Sequence, residues 1–89
     1  MLSANSNRRP ATYSVRYFAV LREQAKCAQE TVTSAAATPG ALYGELAARH
    51  GLTWRPELLR AVVNERYVAM DAPLRDGDRV VFVPPVAGG

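Results

Sequence analysis

Eighty-nine residues, 48% hydrophobic and 21% charged, have the composition of one small globular domain rather than a disordered chain, and leave no room for a second domain. The formal charge of +3 does not describe a basic face: with Arg8 and Arg9 set aside in the polar lead-in, nine basic side chains meet eight acidic ones. Without clustered Lys and Arg, aromatic platforms or a known reader motif, nucleic acid is not an expected partner. No apolar run approaches the roughly 20 residues of a membrane span, and residues 1–10 lack the apolar centre of a secretory signal, so the expected location is cytoplasmic. A single cysteine, Cys27, and a single histidine, His50, allow no intrachain disulfide and too few soft ligands for a metal cluster.

Residues 1–11, rich in Ser, Asn and Arg, are expected to form a flexible extension, with the domain proper spanning 12–83 and a tail over 84–89. Tyr13 to Leu21 is dense in Val, Tyr and Phe and predicts a first strand. Leu21 to Cys27 carries good helix formers and predicts one or two helical turns, after which Gln29 to Thr33 returns as a strand. Thr38-Pro39 then supplies a capping hydroxyl and a proline at the first helical position. Leu42 and Leu46 follow at helical spacing, and Arg49, His50 and Gly51 suit a helix end, which predicts one helix over 39–50. Gly44 within it implies either tolerance or close packing. Beyond a Trp54-Arg55-Pro56 turn, Arg60 to Asn64 and Tyr67 to Met70 read as strands joined in a hairpin at Asn64-Glu65-Arg66. Asp76-Gly77-Asp78 is a turn rather than a calcium loop, since it lacks the repeated acidic ligands, and Arg79 to Val83 is the last strand. Strand, strand, helix and then several short strands predict α+β packing, with one main helix across a mixed sheet of four to five strands.

The last strand is apolar on both faces, while a single helix covers one of them. If Val80 and Phe82 point inward, Val81 and Val83 point outward, on the side to which the first strand contributes Arg16 and Phe18. Phe18, Val81 and Val83 therefore form a candidate docking patch. The strand runs into Pro84-Pro85 and then Val86-Ala87-Gly88-Gly89. Proline pairs favour polyproline geometry, and glycine without a Cβ threads channels closed to other residues, so this arm is the expected working end. Six residues fully extended reach at most about 20 Å, enough to enter a recessed site while the domain stays outside. A terminal carboxylate, ionised at neutral pH, is a nucleophile for the α-phosphate of a nucleotide, which points to acyl-adenylate chemistry at Gly89.

Four segments carry a family resemblance: Tyr17-Phe18-Ala19-Val20-Leu21-Arg22-Glu23; Val62-Val63-Asn64; Asp71-Ala72-Pro73-Leu74-Arg75-Asp76-Gly77-Asp78; and Phe82-Val83-Pro84-Pro85-Val86-Ala87-Gly88-Gly89. Together they resemble the small-subunit family of molybdopterin synthase, the MoaD type of ubiquitin-like sulfur carriers, from about residue 13 to residue 89. The resemblance implies a β-grasp fold. It implies further that a partner adenylyltransferase, related to ubiquitin activators, uses ATP to adenylate Gly89, and that sulfur then displaces AMP to leave a thiocarboxylate. The large synthase subunit would receive Gly88 and Gly89 in its active site, where the sulfur attacks cyclic pyranopterin monophosphate, in an assembly of two carriers on a dimeric large subunit. Phe18, Val81, Val83, Pro84, Pro85, Val86 and Ala87 would make the partner contacts.

On this reading the chain binds no cofactor and carries sulfur covalently, and acid/base catalysis belongs to its partners: no Ser/His/Asp arrangement, phosphate loop or metal-ligand spacing is present in the sequence. His50 reads as a helix-end residue and Cys27 as a bystander thiol. The alternatives are a related carrier serving thiamine, tRNA thiolation or cysteine synthesis, whose tails also end in Gly-Gly, and a passive ubiquitin-like interaction module without chemistry at its tail.

Overall fold

The computed structural model describes residues 9–84. Its elements are β1 (Ala11–Tyr17), α1 (Ala19–Ala25), β2 (Gln29–Ser34), α2 (Pro39–His50), a short 3-10 turn (Pro56–Leu58), β3 (Arg60–Val63), β4 (Arg66–Val68) and β5 (Arg79–Val83). The strands form one mixed sheet in the order β2-β1-β5-β3-β4, in which β1 and β5 run parallel at the centre and every other pair is antiparallel. This order, with α2 packed on one face, is the ubiquitin-like β-grasp arrangement. β1 already begins at Ala11, whose side chain is buried, so the sheet takes in the last residue assigned to the lead-in.

Alternation fixes what each face contains. Tyr13, Val15 and Tyr17 of β1 and Val80 and Phe82 of β5 are almost wholly buried and meet Leu42, Tyr43 and Leu46 of α2 in one core. Each such side chain removed from water contributes about 1.5–3 kcal/mol. Tyr43 stands edge-on to Phe82 with ring centroids 5.4 Å apart, tying the helix to the central strand. The polar tips find partners: the Tyr13 hydroxyl donates to the Ala36 carbonyl at 2.7 Å and the Tyr43 hydroxyl to the Trp54 carbonyl at 2.6 Å. Among the described residues no buried side-chain polar atom is left without a hydrogen bond.

α2 has the bounds that its caps predict. The Thr38 side chain accepts the Ala41 N–H at 3.1 Å, Pro39 opens the first turn, and Gly51 closes the helix at φ 70° with its N–H on the Ala47 carbonyl. Gly44 is exposed, and a methyl group added there would meet nothing within 4 Å, so the glycine is tolerated rather than required.

Three expected boundaries move. The first strand ends at Tyr17 rather than Leu21, because Leu21 and Ala25, four residues apart, are both buried on one face of α1, and helical spacing prevails over the β-propensity of the Phe18–Leu21 run. Ala19 turns the chain out of the sheet at φ 53°. The hairpin closes on two residues, not three: Asn64 and Glu65 take φ 51° and 72°, as a type I′ turn requires, and Val63 pairs directly with Arg66. β4 then stops at Val68, short of the expected Met70, whose carbonyl accepts the Gly40 N–H at 2.8 Å and anchors the start of α2.

Candidate functional site

The face of the sheet opposite α2 carries the predicted docking residues. Parallel pairing sets Arg16 against Val81 and Tyr17 against Phe82, so Arg16 and Val81 share the helix-free face while their neighbours enter the core. Val81 and Val83 are half-buried there. Phe18, one residue past β1 and preceding α1, is 45% exposed, a large apolar side chain left in water by the fold. Pro84, half-buried, continues from β5. The structure therefore brings Phe18, Val81, Val83 and Pro84 to the end of the sheet from which the tail departs, whereas Pro85, Val86, Ala87, Gly88 and Gly89 lie outside the described residues.

Next to this patch, Ser14, Arg16, Gln29, Val62, Glu65, Arg79 and Val81 are among the residues lining a shallow depression of about 180 Å³. Asp76, Asp78 and Asn64 hold the strand ends around it. Asp76 Oδ1 accepts the Thr12 N–H at 2.7 Å; Asp78 accepts the Arg75 N–H at 2.8 Å and the Asn64 side-chain amide at 2.9 Å. The Asn64 side-chain oxygen in turn accepts the Arg79 N–H at 3.0 Å. Both carboxylates of the Asp76-Gly77-Asp78 segment thus staple a turn, with Gly77 at φ 88°, as the turn reading requires.

On the helix-covered side, sequence reasoning missed a joint. Glu30 Oε2 accepts the Tyr17 hydroxyl at 2.5 Å and contacts His50 Nε2 at 2.6 Å, while the Tyr17 and His50 rings meet edge-on at 6.0 Å. Burial opposes ionisation of Glu30, but the Tyr17 hydroxyl, His50 and nearby Arg49 outweigh it and hold the carboxyl below its ordinary range. Burial, and then the hydrogen bond to Glu30, push the Tyr17 phenol far up. A lone helix-end histidine and a glutamate twenty residues away give no spacing signal; only the pairing of β1 with β2 beneath the end of α2 joins them.

Cys27 packs at the edge of the core beside an open groove lined by Arg22, Glu23 and Lys26. Burial and the Glu30 carboxylate push its thiol up, against a backbone hydrogen bond from Gln29, so the reactive thiolate is disfavoured. Among the described residues no three His, Cys, Asp or Glu side chains are grouped to hold a metal ion, and no helix is long and apolar enough to cross a membrane.

The ThiS family model matches residues 15–89. The chain belongs to the ThiS family. It is 40% identical over 78 residues to the molybdopterin synthase sulfur carrier subunit of Escherichia coli (strain K12), covering 84% of this chain and 96% of that protein. Among solved structures, it is similar to a putative molybdopterin converting factor subunit 1 from Pyrococcus furiosus, with a TM-score of 0.69 and 30% identity over 85% of this chain and 99% of that one. A complex of subunits 1 and 2 of the molybdopterin-converting factor from Helicobacter pylori contains a further similar chain, with a TM-score of 0.60 and 25% identity over 88% and 99% of the two chains. As a ThiS-family member with these neighbours, the chain bears out both the MoaD-type resemblance and the β-grasp expectation.

Proposed function

We propose that this ThiS-family chain is the sulfur carrier subunit of a molybdopterin synthase. The observation that carries the reading is its 40% identity with the E. coli sulfur carrier subunit across 96% of that protein, within a family match that runs through Gly89. A partner adenylyltransferase transfers AMP from ATP to the Gly89 carboxylate, releasing pyrophosphate; a sulfur nucleophile then attacks the acyl carbon and expels AMP, leaving a thiocarboxylate. The globular domain serves as the handle. Docking through Phe18, Val81 and Val83 makes delivery of the sulfur to cyclic pyranopterin monophosphate effectively intramolecular, while residues 84–89 act as the arm that presents it. The H. pylori complex of subunits 1 and 2 supports a large synthase subunit as the partner. The proposal is completed by a two-plus-two assembly of carrier and large subunit in the cytoplasm.

Intact mass spectrometry tests the chemistry. Incubated with ATP, the activating enzyme and a sulfide source, the chain gains the mass difference between sulfur and oxygen at its C-terminal glycine. Deleting Gly89 abolishes the gain without shifting the thermal melt; a deletion variant that still loads overturns the mechanism. Mixed with the large subunit, loaded protein converts the pyranopterin precursor, and transfer confined to a thiamine, tRNA or cysteine pathway rejects the molybdopterin assignment.

A further inference from the structure

The helix-free face extends well beyond the apolar residues beside the tail. Strand register places Gln29, Arg16, Val81, Val62 and Tyr67 in one row that crosses β2, β1, β5, β3 and β4 in turn. Tyr67 ends that row 75% exposed, the most exposed large hydrophobic residue among those described. Arg79 lies on the same face opposite Ser14, and Arg60 opposite Val83. Three exposed arginines, Arg16, Arg60 and Arg79, therefore ring a strip of Val62, Val81, Val83 and Tyr67.

These guanidinium groups are barely neutralised. Arg16 reaches only the Gln29 side-chain oxygen, at 3.4 Å. Arg79 meets Glu65 at 3.9 Å with both side chains largely in water, a separation at which an exposed pair contributes little. Among the described residues neither Arg16 nor Arg60 has a carboxylate within 4.0 Å. Arg16 and Arg79 flank the 180 Å³ depression, whose lining also includes Ser14, Val62, Val81 and Glu65, so a carboxylate entering it would meet two planar donor groups beside apolar side chains and would displace the loosely held, water-exposed Glu65 from Arg79. A second copy of this chain would bring like charge to like charge. Charge complementarity and continuity with the proposed docking patch favour a different protein.

We infer that this face is read by a protein partner presenting an apolar ridge flanked by carboxylate side chains, with Arg16 and Arg79 gripping one carboxylate in the depression and Tyr67 covering the far end of the ridge. The inference rests on the docking reading above and adds the chemistry that selects the partner. Electrostatic selection of this kind acts on association rate and on the rejection of wrong partners.

The test titrates the full chain onto the large synthase subunit by calorimetry and stopped-flow, at low and high salt. Reversing both charges, Arg16→Glu with Arg79→Glu, weakens binding about tenfold or more at low salt, mainly through slower association, and the loss shrinks as salt rises. Tyr67→Ala weakens binding severalfold at both salt concentrations. Circular dichroism and the melting curve stay unchanged in these variants, because the side chains replaced are exposed. If the double reversal binds like the native chain at both salts while Val83→Asp abolishes binding, the acid-rimmed partner is wrong and the docking patch stands. If Val83→Asp also binds normally, the docking reading itself falls. A native homodimer that this face holds together, detected by sedimentation, likewise overturns the inference.

Discussion

Glu30 shows what one residue contributes when three elements converge on it. Its carboxylate accepts from Tyr17 of β1 and faces His50 at the end of α2, so β1, β2 and α2 are joined through one side chain. Arg49 adds favourable charge, and Cys27 lies within electrostatic range of both Glu30 and Tyr17. Because folding lowers the Glu30 pKa, the stabilisation is present above the ordinary glutamate value of about 4.3 and is lost as pH falls through the lower folded value. Glu30→Gln should therefore cost about 1 kcal/mol at neutral pH and flatten the acid limb of stability, as measured by urea unfolding between pH 3 and pH 7. An acid limb identical to that of the native chain would remove Glu30 from this role.

Among the elements, α2 contains two glycines with opposite meanings. Gly44 sits in the helix interior facing solvent, where alanine is better by about 1 kcal/mol, so Gly44→Ala should raise the melting temperature. Gly40, in the first turn, has the Met70 carbonyl oxygen 3.1 Å from where a Cβ would stand and donates its own N–H to that same oxygen. Gly40→Ala must push backbone away from backbone and should lower the melting temperature despite the better helix propensity of alanine. Calorimetry of the two variants side by side checks the contrast, and a common direction of change would contradict the tether between α2 and the segment after β4.

In the whole molecule, β5 divides a core face from an open face residue by residue, and the proposed function assigns recognition to the open one. Phe82 is fully buried against Tyr43, and Phe82→Ala should cost about 3–5 kcal/mol, a large part of the stability of a domain this size. Val83, its neighbour, faces the open side. Val83→Asp should leave the fold cooperative and reduce affinity for the large subunit, read by thermal melting and calorimetry together. If both variants only unfold, or both only bind weakly, the two faces of the strand do not divide the work as described.

The bounds of α2 and β5 were legible in the sequence because local chemistry defines them: Thr38, Pro39 and Gly51 cap the helix with their own atoms, and the alternation of Val80 to Val83 sorts two faces without reference to any neighbour. Composition likewise pointed to one small globular domain, the order of strands and helix to α+β packing, and four ordered segments to the family. Local chemistry was ambiguous from Phe18 to Leu21, where strand and helix preferences compete and the burial of Leu21 and Ala25 decides. Strand order, the arginines gathered around Val62 and Val81, and the meeting of Tyr17, Glu30 and His50 were decided by tertiary structure alone. Each depends on register between segments far apart in the chain, and pairing at a distance leaves no periodicity for a single sequence to display.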